Sequence, residues 1–193
     1  MKIIISKESL LDCLSKVFNI VPQKPTLPVL SNFLIKAHAG RMHVSGYDMD
    51  ISITTSTECR VDREGDITVN AKRFMGVIRE LPEGEIEIDA ENERVTILFA
   101  NGQASILGMP SSDYPALKDT IDGINVTISG EDFREMVDKT SFSVSQDRTR
   151  LSLTGILWKV SFDEMVMVAT DGHRLSLFGR SMKIDTEQGT EVI

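Results

Sequence analysis

Apolar and polar residues alternate along this chain in short runs, and three times such a run ends in a small polar residue followed by apolar positions at helical spacing. Lys2-Ile3-Ile4-Ile5 leads into Ser6, after which Leu10, Leu14 and Val17 fall at i, i+4 and i+7. Asp66-Ile67-Thr68-Val69 leads into Asn70, followed by Phe74, Ile78 and Leu81. Asn125-Val126-Thr127-Ile128 leads into Ser129, followed by Phe133, Val137 and Thr140. Ser and Asn side-chain oxygens accept hydrogen bonds from the first free N–H groups of a helix, so each run predicts a strand, a cap and a helix in that order. A unit of this size used three times predicts an assembly of like parts rather than a single pocket.

Alternating segments fill the space between the first two copies: Phe33 to Ala37, Arg41 to Ser45 after His38-Ala39-Gly40, and Ile51 to Val61 as one strand. After the second helix, Leu81-Pro82-Glu83-Gly84 breaks the pattern and strands are predicted over Glu85 to Asp89, Arg94 to Phe99 and Gln103 to Leu107, with Asn101-Gly102 as a hairpin signal. Met109 to Pro115 supplies turn formers and two prolines, the marks of a boundary. Past it, Gly155 to Val160 and Met165 to Leu177 read as strands of the third copy. The class is therefore α+β with mostly antiparallel sheets. Residues 1–120 read as one domain of two repeats; a third copy follows without a fourth, so either the second domain closes differently or the chain is a fragment, the latter being favoured, with residues 125–193 as half of that domain once the resemblance below is taken in.

Composition narrows the partners. With 193 residues and 41% apolar content the chain can bury one substantial core or two smaller ones. No apolar run is long enough to span a bilayer, and the first residues turn charged too soon for a signal peptide, so a soluble, cytoplasmic protein with no membrane partner is expected. Cys13 and Cys59 form no CxxC pair and read as ordinary thiols, one beside a helix core and one on a strand. A net charge of -8 argues against holding nucleic acid by blanket electrostatics; any such contact needs a local basic surface.

Few groups offer chemistry. His38 and His43 flank a predicted hairpin turn, where a solvated structural role is the simplest account. Asp48 and Asp50 could share a divalent cation, but nothing at the right spacing completes the shell, and turn capping by Asp explains them as well. Phosphate loops, HExxH and GxSxG elbows are missing from the sequence. The most distinctive string is Ala169-Thr170-Asp171-Gly172-His173-Arg174-Leu175, where a strand ends in a polar turn. Three readings stand: Asp171 orienting a catalytic His173, a plain hairpin cap, or a binding surface over an apolar floor of Leu153, Leu175 and Leu177.

Pro25-Thr26-Leu27-Pro28-Val29-Leu30-Ser31-Asn32, Leu81-Pro82-Glu83-Gly84, Leu107-Gly108-Met109-Pro110 with Tyr114-Pro115, Arg150 with Leu153 and Gly155, and Ala169 to Leu175 stand in one order and spacing. In these strings the chain resembles the bacterial DNA polymerase III beta subunit, the replicative sliding clamp, from Met1 to about Phe178. The resemblance implies a DNA-clamp fold of pseudo-twofold domains, antiparallel sheets outside and two helices inside each, three domains per protomer and a homodimeric ring. On this chain it implies a complete first domain, an incomplete second and no third, so that a fragment is expected.

The resemblance also implies a processivity factor that encircles double-stranded DNA without reading sequence and needs no catalytic residue, metal or cofactor. Its partners would be the DNA polymerase III catalytic subunit, the clamp loader and other clamp-binding replication and repair proteins. Lys24, Lys72 and Arg73 fall where the family presents basic groups to DNA, and Arg148 is the phosphate contact expected in the Gln146 to Ser152 loop. Leu151 and Ser152 stand where some members carry aromatic residues, which argues against stacking on a single strand here. The wall of a pocket for partner peptides would be Leu153, Thr170, Gly172, His173, Arg174 and Leu175. Two other readings remain at this stage: a stand-alone peptide-binding adaptor, and a metal-dependent hydrolase built on Asp48, Asp50, Asp171 and His173.

Overall fold

A computed structural model of the chain describes residues 1–117, 126–161 and 163–181. It divides into two compact units, Met1–Asp119 and Thr120–Ile193. In the first, β1 (Lys2–Ser6), α1 (Lys7–Phe18), β2 (Asn32–His38), β3 (Arg41–Tyr47), β4 (Ser52–Glu58) and β5 (Arg60–Arg63) form one copy of a motif. A second copy follows as β6 (Gly65–Asn70), α2 (Ala71–Glu80), β7 (Glu85–Glu91), β8 (Arg94–Phe99) and β9 (Gly102–Met109). The second unit holds α3 (Gly130–Thr140), β10 (Leu157–Val160), β11 (Glu164–Thr170) and β12 (Leu175–Ser181).

All three predicted caps form. The Ser6 side chain accepts from the Ser9 N–H at 3.2 Å, Asn70 from Arg73 at 3.1 Å and Ser129 from Asp132 at 3.0 Å. Each satisfies a donor that the first helical turn leaves without an internal partner. Leu10, Leu14, Val17, Phe74 and Ile78 are fully buried in the core that α1 and α2 share with the sheet, each burial contributing about 1.5–3 kcal/mol. Lys7 is buried as well, and its ammonium donates to the Leu81 carbonyl at 2.6 Å and pairs with Glu83 at 2.9 Å, tying the start of α1 to the end of α2.

Strand order in the first unit is β4-β3-β2-β6-β9-β8-β7-β1-β5, every pair antiparallel. The two end strands, β4 and β5, are separated in sequence by Cys59 alone, so the sheet must curl until its edges meet at that residue. The expected single strand over Ile51 to Val61 is therefore corrected to two. Alternation continues through the segment, but β4 pairs with β3 while β5 has moved to β1. Strand β9 makes the same transfer in the second copy, pairing with β8 in its first part and with β6 at Gly108 and Met109. The two copies keep one register throughout: Ser6 opposes Glu85 as Asn70 opposes Asn32, Leu34 opposes Ser45 as Glu87 opposes Leu98, and Ile4 opposes Arg60 as Thr68 opposes Met109.

The second unit repeats the first copy at constant spacing. Leu157 opposes Val168 as Leu34 opposes Ser45, and Glu164 opposes Ser181 as Arg41 opposes Glu58. Three expectations change here. Residues 126–128 form no strand, and Asn125 lies outside the described residues. The strand expected from Gly155 begins at Leu157, after a 3-10 turn at Leu151–Leu153. Phe133, expected as a core anchor, is 39% exposed; Met136 and Thr140 are the buried positions of α3. Among the described residues α3 packs on β11 and β12, with no second helix beside it of the kind α2 provides for α1.

Candidate functional site

The Thr170–Leu175 segment links β11 to β12 through a turn held by one carboxylate. Asp171 Oδ1 accepts from the backbone N–H groups of His173 at 2.9 Å and Arg174 at 3.0 Å, while Oδ2 accepts from Arg174 Nε at 3.0 Å. Thr170 Oγ1 donates to the Arg174 carbonyl at 2.7 Å and accepts from the Gly172 N–H at 3.1 Å. The His173 N–H, then that of Arg174, hold the Asp171 carboxyl below the ordinary aspartate range. Gly172 sits at φ +89°, a left-handed conformation that a side chain disfavours, and a Cβ there would lie 3.4 Å from Arg150 Nη1. The backbone conformation, rather than the space, favours a glycine at this position.

Around this turn the apolar side chains stand open. Leu175 is 64% exposed and Leu177 63%, both on the face of β12 away from α3, because the intervening Ser176 bonds back to the Lys139 carbonyl at 2.5 Å. Leu153 is half-buried in its 3-10 turn and donates its N–H to the Arg150 carbonyl at 2.9 Å. The Arg174 guanidinium lies over the Phe142 ring, 6.0 Å from its centre. Phe142 and Arg150 stand beside this turn without belonging to the expected peptide wall. The Arg–aromatic contact is made across the fold and left no local pattern.

An identical turn occurs in the first unit, at the same distance from its capping residue. Asp48 Oδ1 accepts from the N–H groups of Asp50 at 3.0 Å and Ile51 at 2.7 Å, and Met49 takes φ +87° where the second unit has Gly172. The carboxylate of Asp48 thus serves turn capping. In the first unit the adjoining surface of Val29 and Leu34 is covered by Tyr114, with Tyr47 and Leu117 packed against the same cluster. Burial pushes the Tyr114 hydroxyl up to about 12. The matching positions in the second unit are Ser152, Leu157 and Thr170, and Leu157 is 49% exposed.

Asp171 bonds to backbone and to Arg174 rather than to the His173 imidazole, so the carboxylate–imidazole pair that would activate a nucleophile is not made. Among the described residues no three His, Cys, Asp or Glu side chains gather into a group that could hold a metal ion.

The basic candidates divide between the units. Lys72 and Arg73 are exposed in the first turn of α2, and Lys24 is exposed in the loop after α1. A cleft of about 710 Å³ runs between the end of α1 and the start of α2, lined by Gln23, the neighbour of Lys24, and by Lys72. Arg148 is exposed in the second unit, in a loop organised by Asp147, which accepts from the Thr149 N–H at 3.0 Å and hydroxyl at 2.7 Å.

Comparison with known proteins gives this geometry a family. The model of the DNA polymerase III beta subunit, N-terminal domain, matches residues 1–118, and that of the central domain matches residues 127–193. The chain belongs to the DNA polymerase III beta subunit family. It is 33% identical over 186 residues to the beta sliding clamp of Chlamydia muridarum, covering 96% of this chain and 51% of that protein. The Chlamydia trachomatis beta sliding clamp is 35% identical over 188 residues, covering 97% and 44%. Among solved structures, the DNA polymerase III subunit beta of Pseudomonas aeruginosa matches with a TM-score of 0.89 at 29% identity, covering all of this chain and 53% of that one. The sliding clamp of Bacillus subtilis gives 0.90 at 28% identity, with 100% and 53% covered. The chain spans about half the length of the beta-subunit relatives it matches.

Proposed function

We propose that this chain is the first domain and the leading half of the second domain of a replicative sliding clamp. The complete protein would be a ring of two protomers that encircles double-stranded DNA and holds the polymerase III catalytic subunit to it. Its work is topological: a closed ring cannot leave the duplex sideways, so tight phosphate contacts would hinder sliding. A net charge of -8 suits that behaviour, because it discourages loose adhesion to DNA. The observation that carries the reading is the repetition of one motif in one register, twice within residues 1–109 and again over residues 126–181, in a chain both of whose units match beta-subunit domains.

In this reading Lys24, Lys72, Arg73 and Arg148 face the nucleic acid. Leu153, Thr170, Gly172, His173, Arg174 and Leu175 form one wall of the site for short peptides of the polymerase, the clamp loader and repair proteins. Open leucines beside a rigid turn rimmed by His173 and Arg174 suit a peptide with apolar anchors, each buried anchor adding about 1.5–3 kcal/mol. The test is primer extension by the catalytic subunit with the full-length protein and clamp loader of the same organism. The double variant His173→Ala, Leu175→Ala should shorten the products to the length made without clamp while the ring still loads on circular DNA. Unchanged product length removes these residues from the docking surface.

A further inference from the structure

One turn is built twice in this chain, around Asp48 and around Asp171, and the two copies carry different side chains. At the spacing that relates Ser6 to Ser129 and Asp48 to Asp171, the second unit has Phe142, Arg150, Gly172 and Arg174 where the first has Asn19, Leu27, Met49 and Ile51. Both turns close with the same two carboxylate bonds to backbone N–H groups. Neither an aromatic ring nor a guanidinium is therefore needed to fold the motif. In the second unit the exchanged residues meet. The Arg174 guanidinium lies 6.0 Å from the centre of the Phe142 ring and donates through Nε to Asp171 Oδ2 at 3.0 Å. Arg150 Nη1 lies beside Gly172, 3.4 Å from where a Cβ would stand.

A guanidinium offers its face to an aromatic ring and its edge to hydrogen-bond acceptors, so stacking orients the ion without using any of its donors. Phe142 takes the face of Arg174 and Asp171 takes Nε, which leaves Nη1 and Nη2 with no protein partner among the described residues. The Arg150 guanidinium has no hydrogen-bond or ion-pair partner among them either. Held side chains with open terminal nitrogens bind a carboxylate at little further entropy cost. The next residue, Leu175, is an open apolar contact, so a group bound here sits next to an apolar anchor. We propose that Phe142 is a positioning residue of this docking surface: it holds the Arg174 guanidinium so that Arg174, with Arg150 beside Gly172, takes an acidic side chain of the bound peptide. The proposal rests on the reading of this turn as a peptide site and adds the chemistry of the peptide to it.

Fluorescence anisotropy on the full-length protein tests this, the probe being the tightest binder among labelled peptides that tile the polymerase III catalytic subunit of the same organism. Replacing the acidic residue beside the probe's apolar anchors by its amide should weaken binding at least about tenfold. Phe142→Leu keeps an apolar side chain but not the charge distribution of the ring, and should weaken the acidic probe about twofold to fivefold. Phe142→Tyr should bind it as the native protein does. The amide probe should not distinguish Phe142→Leu from native protein, and Phe142→Leu should be silent when combined with Arg174→Gln. A loss equal on the acidic and amide probes, or one that persists beside Arg174→Gln, is a structural effect and overturns the proposal. Native affinity in Phe142→Leu, or a probe sensitive only to amidation of its C-terminus, overturns it as well. If the double variant His173→Ala, Leu175→Ala binds the probe at native strength, the peptide-site reading fails and takes this proposal with it; if that variant loses binding while Phe142→Leu keeps it, only this proposal fails.

Discussion

Asp48 and Asp171 hold the same turn in the two units, each with one carboxylate oxygen accepting the N–H groups two and three residues ahead. The turn therefore belongs to the motif, and what differs is the chemistry carried on it. The first unit places Met49, Asp50 and Ile51 where the second places Gly172, His173 and Arg174. Only the second combines a glycine, an imidazole and a guanidinium beside uncovered leucines.

The Asp171 turn should respond to acid in a defined direction. Its carboxyl is held below the ordinary value of 3.8 by the His173 and Arg174 N–H groups, so the charged form stabilises the folded turn above the unfolded value and the contribution fades as pH falls through the lowered one. The backbone amide resonances of His173 and Arg174 should move together with an inflection below 3.8. An inflection at or above that value would show that the carboxylate does not organise the turn.

Substitutions at the two left-handed positions should have opposite signs. Gly172→Ala forces a Cβ into φ +89° beside Arg150 and should cost about 1–2 kcal/mol. Met49→Gly relieves the same conformation in the first unit and, after the entropy cost of glycine, should gain up to about 1 kcal/mol. Urea denaturation of each variant measures both. Equal signs would mean that backbone strain is not what distinguishes the two turns.

Gly108 marks the point where β9 passes from β8 to β6. A Cβ there would stand 2.6 Å from the Thr68 carbonyl oxygen and 2.9 Å from Ile67 Cγ1, and the backbone atom cannot rotate away. Gly108→Ala should destabilise the first unit by about 3 kcal/mol, seen as a lower urea midpoint with the second unit unaffected.

Lys72→Glu tests the proposed DNA side of the full-length protein. Removing one phosphate neighbour should weaken clamp–DNA association evenly across sequences and reduce the slope of log affinity against log salt by about one. A slope equal to that of the native protein would assign Lys72 to solvent. The proposed peptide site, in the other unit, should keep its affinity.

Local signals were legible in the sequence. Ser6, Asn70 and Ser129 were readable as caps because a cap bonds to an N–H only three residues ahead, and the β2–β3 and β8–β9 hairpins because their alternation and turns are contiguous. The residues from Thr170 to Leu175 were readable as a turn for the same reason. Their relation to Phe142 and Arg150 was not, since those contacts depend on how distant segments pack.

By itself, the order of residues determined where each helix begins, where most of the strands lie, and that one motif recurs. Tertiary structure alone decided partnership. The continuous alternation through Cys59 hides a strand that leaves β3 for β1, because hydrogen-bond partners across a sheet are set by how the whole sheet curls and not by the local pattern. Leu10 and Phe133 occupy the same place in the same helical pattern, yet one is sealed and the other open. An apolar side chain is buried only when another surface lies against it, and amphipathic spacing specifies the face without supplying what covers it.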